Sequence, residues 1–223
     1  MSTLAGRMHG PFVTRWRIDR YRAVTLLGES FDDGPEPRGH TWPVSATMAQ
    51  LDARIDHIAA APRDVGTVEL VVARPAKGER LVLEFGELRP GIGLVGDNYL
   101  ERGSSKPGGG PADPLAELNV MSARALEAVA GHDRERWPLA GDQLIVDFDL
   151  SEANCPAGTR LVVGAAMIEV TTKPHTGCAK FADRYGIEAA RWINSRKDLR
   201  LRGICAVVVE PGVVAPGDAM LRR

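Results

Sequence analysis

Cysteine is scarce in this chain. Only three occur in 223 residues, at 155, 178 and 205. An odd number at wide spacing argues for reduced thiols and against a disulfide framework. A formal zinc set of Cys155, His175, Cys178 and Cys205 lacks the paired short spacing of zinc ribbons. Charge of one sign is also missing. The 28 basic and 29 acidic residues leave a net charge of −1, without the basic excess of a non-specific nucleic-acid binder. No apolar run approaches the roughly 18 residues that cross a bilayer, and residues 1–10 hold no continuous apolar stretch of the secretory kind. The expectation is a cytoplasmic protein with neither nucleic acid nor membrane as partner. Gly-x-Ser-x-Gly, Walker A and His-Glu-x-x-His motifs are absent. Lysine is rare, 5 against 23 arginines.

What is present is an ordinary globular composition, 44% apolar and 26% charged. The length suits one domain with an appendage. Residues 1–65 read as an N-terminal extension with one helix. Its Tyr21–Leu27 segment suggests a short strand. In the helix over 46–60, Ser45 can cap, and Met48, Leu51, Ile55 and Ile58 share a face. From residue 66 the period changes to β. Strands are expected around 68–72, 81–85, 118–121, 144–148, 160–163, 166–171 and 201–209, with helices at 123–130, capped by Ser122 and ended by Gly131, and near 187–194. Residues 89–97 read as an ordered loop and 103–114 as a flexible stretch inside the domain. Many short strands with few helices predict a mainly β barrel or sandwich with inserted helices.

The most reactive-looking segment runs from Lys173 to Phe181. Cys178 follows a glycine in a polar loop, with His175, Lys173 and Lys180 nearby. Positive neighbours favour the thiolate, the form that attacks electrophiles and ligates metals. The alternative is a loop cysteine of no consequence. Cys205, in an apolar strand, reads as core, and Cys155, in a turn, as incidental. Asn119, Ser122 and Arg124 stand at a strand-to-helix junction, where a helix N-terminus and a guanidinium suit an anion. The alternative there is Ser122 as a cap and no more.

In chain order, Gly91-Ile92-Gly93-Leu94-Val95-Gly96-Asp97, Asn119-Val120-Met121-Ser122-Ala123-Arg124, Ala140-Gly141-Asp142, Gly158-Thr159-Arg160 and Pro174-His175-Thr176-Gly177-Cys178-Ala179-Lys180-Phe181 together resemble a MOSC domain, named for the C-terminus of molybdenum cofactor sulfurase. The loop around Cys178 is the most specific part. The resemblance implies a MOSC-like β-barrel over residues 66–223, with a few inserted helices and the short N-terminal extension, in a stand-alone, bacterial-type member. It implies that Cys178 serves the molybdenum cofactor (molybdopterin) as metal ligand or sulfur carrier. It further implies that Lys173, His175, Lys180, Arg124 and Arg202 hold the pterin phosphate and dithiolene anion, with Asn119 and Ser122 beside them. Cys178 and His175 are then the candidate catalytic residues. The implied partners are the cofactor or a small N-oxygenated substrate, and an external electron donor or a cofactor-accepting protein. No pyridoxal-phosphate desulfurase domain is visible, so that cofactor is not expected. Two alternatives are a non-catalytic cofactor or sulfur carrier and a cofactor-free thiol enzyme.

Overall fold

The computed structural model of the chain describes residues 46–104 and 108–223, together with the backbone of a two-residue strand at 21–22. Its strands are β1 (Tyr21–Arg22), β2 (Val65–Ala73), β3 (Leu81–Leu83), β4 (Gly86–Arg89), β5 (Gly93–Leu94), β6 (Leu118–Ser122), β7 (Leu144–Asp147), β8 (Arg160–Val163), β9 (Ala166–Val170), β10 (Ile204–Glu210), β11 (Gly212–Val214) and β12 (Ala219–Arg222). The main sheet runs β2-β12-β8-β9-β10-β6-β7, and β7 pairs back onto β2. That last pairing closes a seven-stranded ring. Closure removes the free edges that an open sheet would expose. The pairs are antiparallel except β6–β7. Beyond the ring, β3 and β1 continue from β2, and β11-β4-β5 form a small separate sheet.

Side-chain alternation divides the barrel wall into two faces. Leu118, Val120, Leu144 and Val146 belong to the cluster that fills the barrel. Met121 and Ile145, one residue out of phase, belong to a second cluster outside it. That cluster packs under α1 (Met48–Asp52), α2 (Ile55–Ala59), α4 (Ala123–Ala130), α5 (Ala179–Tyr185) and α6 (Ile187–Ile193). A further short helix, α3 (Tyr99–Arg102), and a 3-10 helix over Arg134–Ala140 complete the set among the described residues. The mainly β barrel with inserted helices is therefore the observed architecture.

Local differences from the sequence reading have simple causes. The single helix expected over 46–60 is two short ones, α1 and α2. Thr47 caps the first through a capping box with Gln50; Ser45 lies outside the described residues, as do residues 23–27 of the expected first strand. The 89–97 loop contains part of the β4–β5 hairpin. Gly164-Ala165 turns between the strands expected at 160–163 and 166–171 and joins β8 to β9, and Ser122 caps α4, accepting from the Ala125 N–H. Cys155 is fully buried in the barrel core, with its thiol donating to the Asp149 carbonyl at 3.4 Å.

Four successive carbonyls at the end of the 3-10 helix each receive an arginine from a different part of the fold. Arg80 Nε donates to Pro138 O at 3.2 Å, Arg184 Nη1 to Leu139 O at 2.6 Å, Arg202 Nη2 to Ala140 O at 3.1 Å and Arg74 Nη1 to Gly141 O at 2.8 Å. Helix C-terminal carbonyls have no partner within the helix and carry partial negative charge, so guanidinium donors suit them. Crowding has a cost: desolvation, with Arg184 and Arg74 as like-charged neighbours, lowers the Arg80 guanidinium to about 10.

Candidate functional site

A cleft of about 630 Å³ opens between the loop after β9, the end of α6 and the segment that leads into β10. Lys173, Arg196, Lys197, Arg200 and Arg202 line it with five cationic side chains. Glu152 is the one carboxylate among the described lining residues. Four of the five cations have carboxylate partners, Arg196 with Asp52 at 3.8 Å among them. Lys173 pairs with Asp113, and Arg202 with Asp142. Arg200 pairs with Glu152 and donates to the Cys155 carbonyl.

The turn before β10 aims these residues. Arg200 has a positive φ of 46°, and Gly203 a φ of 95°. A Cβ on Gly203 would lie 1.9 Å from Val120 O, so only glycine permits this approach of the turn to β6. Arg202 is thereby carried into the wall of the cleft with its side chain 8% exposed. Its Nη1 bridges both oxygens of Asp142, at 2.7 and 2.6 Å, and its guanidinium lies 5.2 Å from the Phe181 ring centroid.

His175 faces the same carboxylate. Its Nε2 is 3.5 Å from Asp142 Oδ1, and its side chain is 9% exposed. Burial, then the positive charges of Arg202 and Arg74, push the imidazole well below its ordinary pKa, so it is neutral at physiological pH. Burial raises the Asp142 carboxyl and Arg202 opposes it; the close guanidinium contacts hold the carboxylate form. Two buried polar atoms of this network have no hydrogen-bond partner: His175 Nδ1 and Arg202 Nε.

Cys178 is exposed and stands at the N-cap of α5, with its carbonyl accepting from the Phe181 and Ala182 N–H groups. Its loop is fixed by Asn194, a cleft residue. Asn194 Oδ1 accepts from Gly177 N at 2.9 Å, and Asn194 Nδ2 donates to Gly177 O at 3.2 Å. A Cβ on Gly177 would meet Ile193 Cγ2 at 2.9 Å, so the glycine before Cys178 allows the loop to seat against α6. Thr176, two residues before Cys178, lines the cleft; Cys178 itself does not.

The structure thus gathers Lys173, His175 and Arg202 in one cleft, with Cys178 outside its lining and two residues along the chain from Thr176. Lys180 is exposed on α5. The junction of Asn119, Ser122 and Arg124 lies outside that lining. Arg124 is bound to Asp147 at 2.7 and 3.2 Å and to the His57 carbonyl at 2.9 Å, which ties α4 to β7 and α2. Asn119 Oδ1 accepts from the Cys205 thiol at 3.5 Å. Cys205 is buried, as its apolar strand suggests, yet it also lines the cleft, and burial pushes its thiol up to about 12. Sequence reasoning gave no site role to Asp142, quoted only within the Ala140-Gly141-Asp142 segment of the resemblance, or to Asn194. Their neighbours in space are distant in sequence, so no local pattern marks them.

Among the described residues, no group of three or more His, Cys, Asp or Glu side chains forms a metal-binding cluster, and no helix is long and apolar enough to cross a membrane.

Residues 105–221 match the MOSC domain profile. No curated protein matches the chain in sequence. Among solved structures, a hypothetical protein superposes with a TM-score of 0.50 at 20% identity, over 72% of this chain and 68% of its own. YuaD from Bacillus subtilis gives 0.48 at 16% identity over 70% and 94%, and YiiM from Escherichia coli 0.46 at 21% over 70% and 69%. The first of these likenesses supports a shared fold and nothing finer.

Proposed function

The chain belongs to the MOSC domain family, and on that premise we propose that the cationic cleft binds the molybdenum cofactor, with the Cys178 thiolate as metal ligand or sulfur carrier. The observation that carries this reading is a cleft lined by five cationic side chains, four of them paired with carboxylates, bordered by the loop that leads to an exposed cysteine. The residues fit such a group. A phosphate-bearing dithiolene is anionic, and lysine and arginine are its natural counter-charges. A cofactor that brings two sulfur ligands of its own asks for one further soft ligand, which a single thiolate provides without a protein cluster. His175 Nδ1 and Arg202 Nε, on two residues that line the cleft, are buried polar atoms with no hydrogen-bond partner in the protein.

When bound, the cofactor supplies two-electron redox chemistry, which in this reading acts on small N-hydroxylated compounds with electrons from an external donor. The chain's own residues do the rest. Lys173, Lys197 and Arg200 neutralise the anion. Asn194 holds the Gly177 backbone and so orients the Cys178 loop. The neutral His175 and the Asp142–Arg202 pair form a wall that keeps one face of the ligand out of water.

The test is molybdenum and pterin analysis of protein purified from a host that makes the cofactor, wild type beside Cys178→Ser. Both should co-purify with wild type and fall about tenfold or more in the variant. Well-folded wild type from such a host with neither molybdenum nor pterin would overturn the reading and leave Cys178 as the nucleophile of a cofactor-free thiol enzyme.

A further inference from the structure

The cations of the cleft are held by carboxylates of two kinds. The side chain of Asp142, which holds Arg202, is fully buried, so that pair is a permanent part of the wall. Asp113 and the Lys173 it holds are each about one-third exposed. Lys173 lines the cleft and Asp113 does not. Their contact, Lys173 Nζ to Asp113 Oδ2 at 2.5 Å, therefore engages a cleft cation from outside the lining. The two partners differ in freedom. Asp113 is locked in a turn. Its Oδ1 accepts from the Leu115 N–H at 3.1 Å, and its carbonyl accepts from the Ala116 N–H at 2.9 Å and from the hydroxyl of the buried Tyr99. The same turn is tied to the cleft rim, where Thr171 Oγ1 donates to Leu115 O at 2.7 Å. Lysine carries a compact charge on a flexible four-carbon stem, so it can change partners while the aspartate stays in place.

We propose that Asp113 is a built-in competitor for anions at the cleft: a tethered carboxylate that occupies Lys173 until a multiply charged anion displaces it. An incoming anion meets this lysine already neutralised. To use it, the anion must take over the ammonium from Asp113. An ion pair as exposed as this one is weak enough to be exchanged, and at low ionic strength its charges still act on a neighbouring anion. Asp113 thereby lowers the affinity of the cleft without touching the ligand and without lining the cleft. The inference rests on the cleft being an anion site, and it deepens that reading by assigning a contact that restrains it.

The experiment measures the binding of inorganic pyrophosphate by calorimetry at low ionic strength, on full-length protein from a host that makes no molybdenum cofactor. Asp113→Asn keeps an oxygen for the Leu115 N–H and loses the charge. It should bind pyrophosphate about threefold to fivefold more tightly than wild type. Lys173→Met added to that variant should remove the gain. Asp113→Ser, whose hydroxyl can also hold the turn, should show the same gain, so the test does not hang on one variant folding. Glu87→Gln removes another exposed carboxylate, one paired with Arg89 and outside the cleft lining, and should leave the affinity unchanged. A merely structural Asp113 would give variants with lower urea midpoints and no tighter binding. Unchanged or weaker binding by the folded variants, failure of both to fold, an equal gain in Glu87→Gln, a gain that survives Lys173→Met, or no binding by any of these proteins would overturn the proposal. Neither molybdenum nor pterin in wild type from a cofactor-replete host, with the gain intact, would overturn the cofactor reading alone. Both present with no gain would overturn this inference alone.

Discussion

Two buried ion networks hang from neighbouring carbonyls of one 3-10 helix, and they are finished differently. Arg74 and Asp97 form the first. Arg74 Nε and Nη2 donate to the two Asp97 oxygens at 2.7 and 2.8 Å, Arg74 N adds a third bond at 2.9 Å, and Nη1 takes the Gly141 carbonyl. Tyr99 N and Gln143 Nε2 complete the carboxylate, whose side chain is fully buried. Arg202, Asp142 and His175 form the second, equally buried, but with two polar atoms left over. A buried charge is tolerated when its hydrogen bonds are filled. The first network is complete and serves to brace the fold. The second keeps two unpartnered polar atoms, on residues that line the cleft.

The largest effect should come from breaking the complete network. Asp97→Ala strands a buried guanidinium and should cost about 3–5 kcal/mol in urea denaturation. A loss below about 1 kcal/mol would mean that the brace has little to do with stability and would blur the contrast.

A subtler effect separates the networks by pH. His175 is buried and neutral when folded, with its pKa pushed well below the usual range. Below about pH 6.5 the unfolded chain binds a proton at this histidine that the folded chain refuses. Stability should therefore fall as pH drops through that region, by at most about 1.4 kcal/mol per pH unit from this one group. His175→Asn should flatten that part of the profile relative to wild type. An unchanged slope would place the imidazole in a wetter setting than the structure describes.

The smallest structural effect belongs to Cys178. It is exposed, whereas Cys155 and Cys205 are buried with thiols pushed up to about 12. Iodoacetamide at mildly alkaline pH should give one adduct on native protein and three in urea, counted by mass spectrometry. Cys178→Ser should give none when native and should change stability by less than about 0.5 kcal/mol. Native labelling of Cys205 would show the cleft wall to be open.

How much of this was legible in the sequence differs along the chain. Six of the seven ring strands were, because segments such as Leu118-Asn119-Val120-Met121 and Leu144-Ile145-Val146 belong to a wall whose two faces have different neighbours, whereas the short β12 was not. The helix α4 was, because Ser122 and Gly131 punctuate it. The helix α5 was not: no side-chain bond caps it at Cys178, and it opens out of a Pro- and Gly-containing loop. Nor was the 3-10 helix, which carries Pro138 inside it. At the site, Lys173, His175 and Cys178 stood out as a local cluster of reactive types. Asp142 did not, because its partner Arg202 lies sixty residues later, and a Gly-Asp dipeptide on its own signals only a turn.

The ring closure has a consequence for how the chain is made. Strand β12 is the stave between β2 and β8, and its pairing with β2 joins residue 219 to residue 67. On a growing chain, β2 and β8 emerge long before the segment that links them. Until Ala219–Arg222 leave the ribosome, each presents an unpaired edge, and the barrel exists only as an open, sticky sheet. Formation of the finished cylinder is thus tied to one of the most non-local contacts in the molecule, a step of the slow kind. A nascent chain stalled just short of residue 219 would have nearly all of its core residues and still no closed barrel.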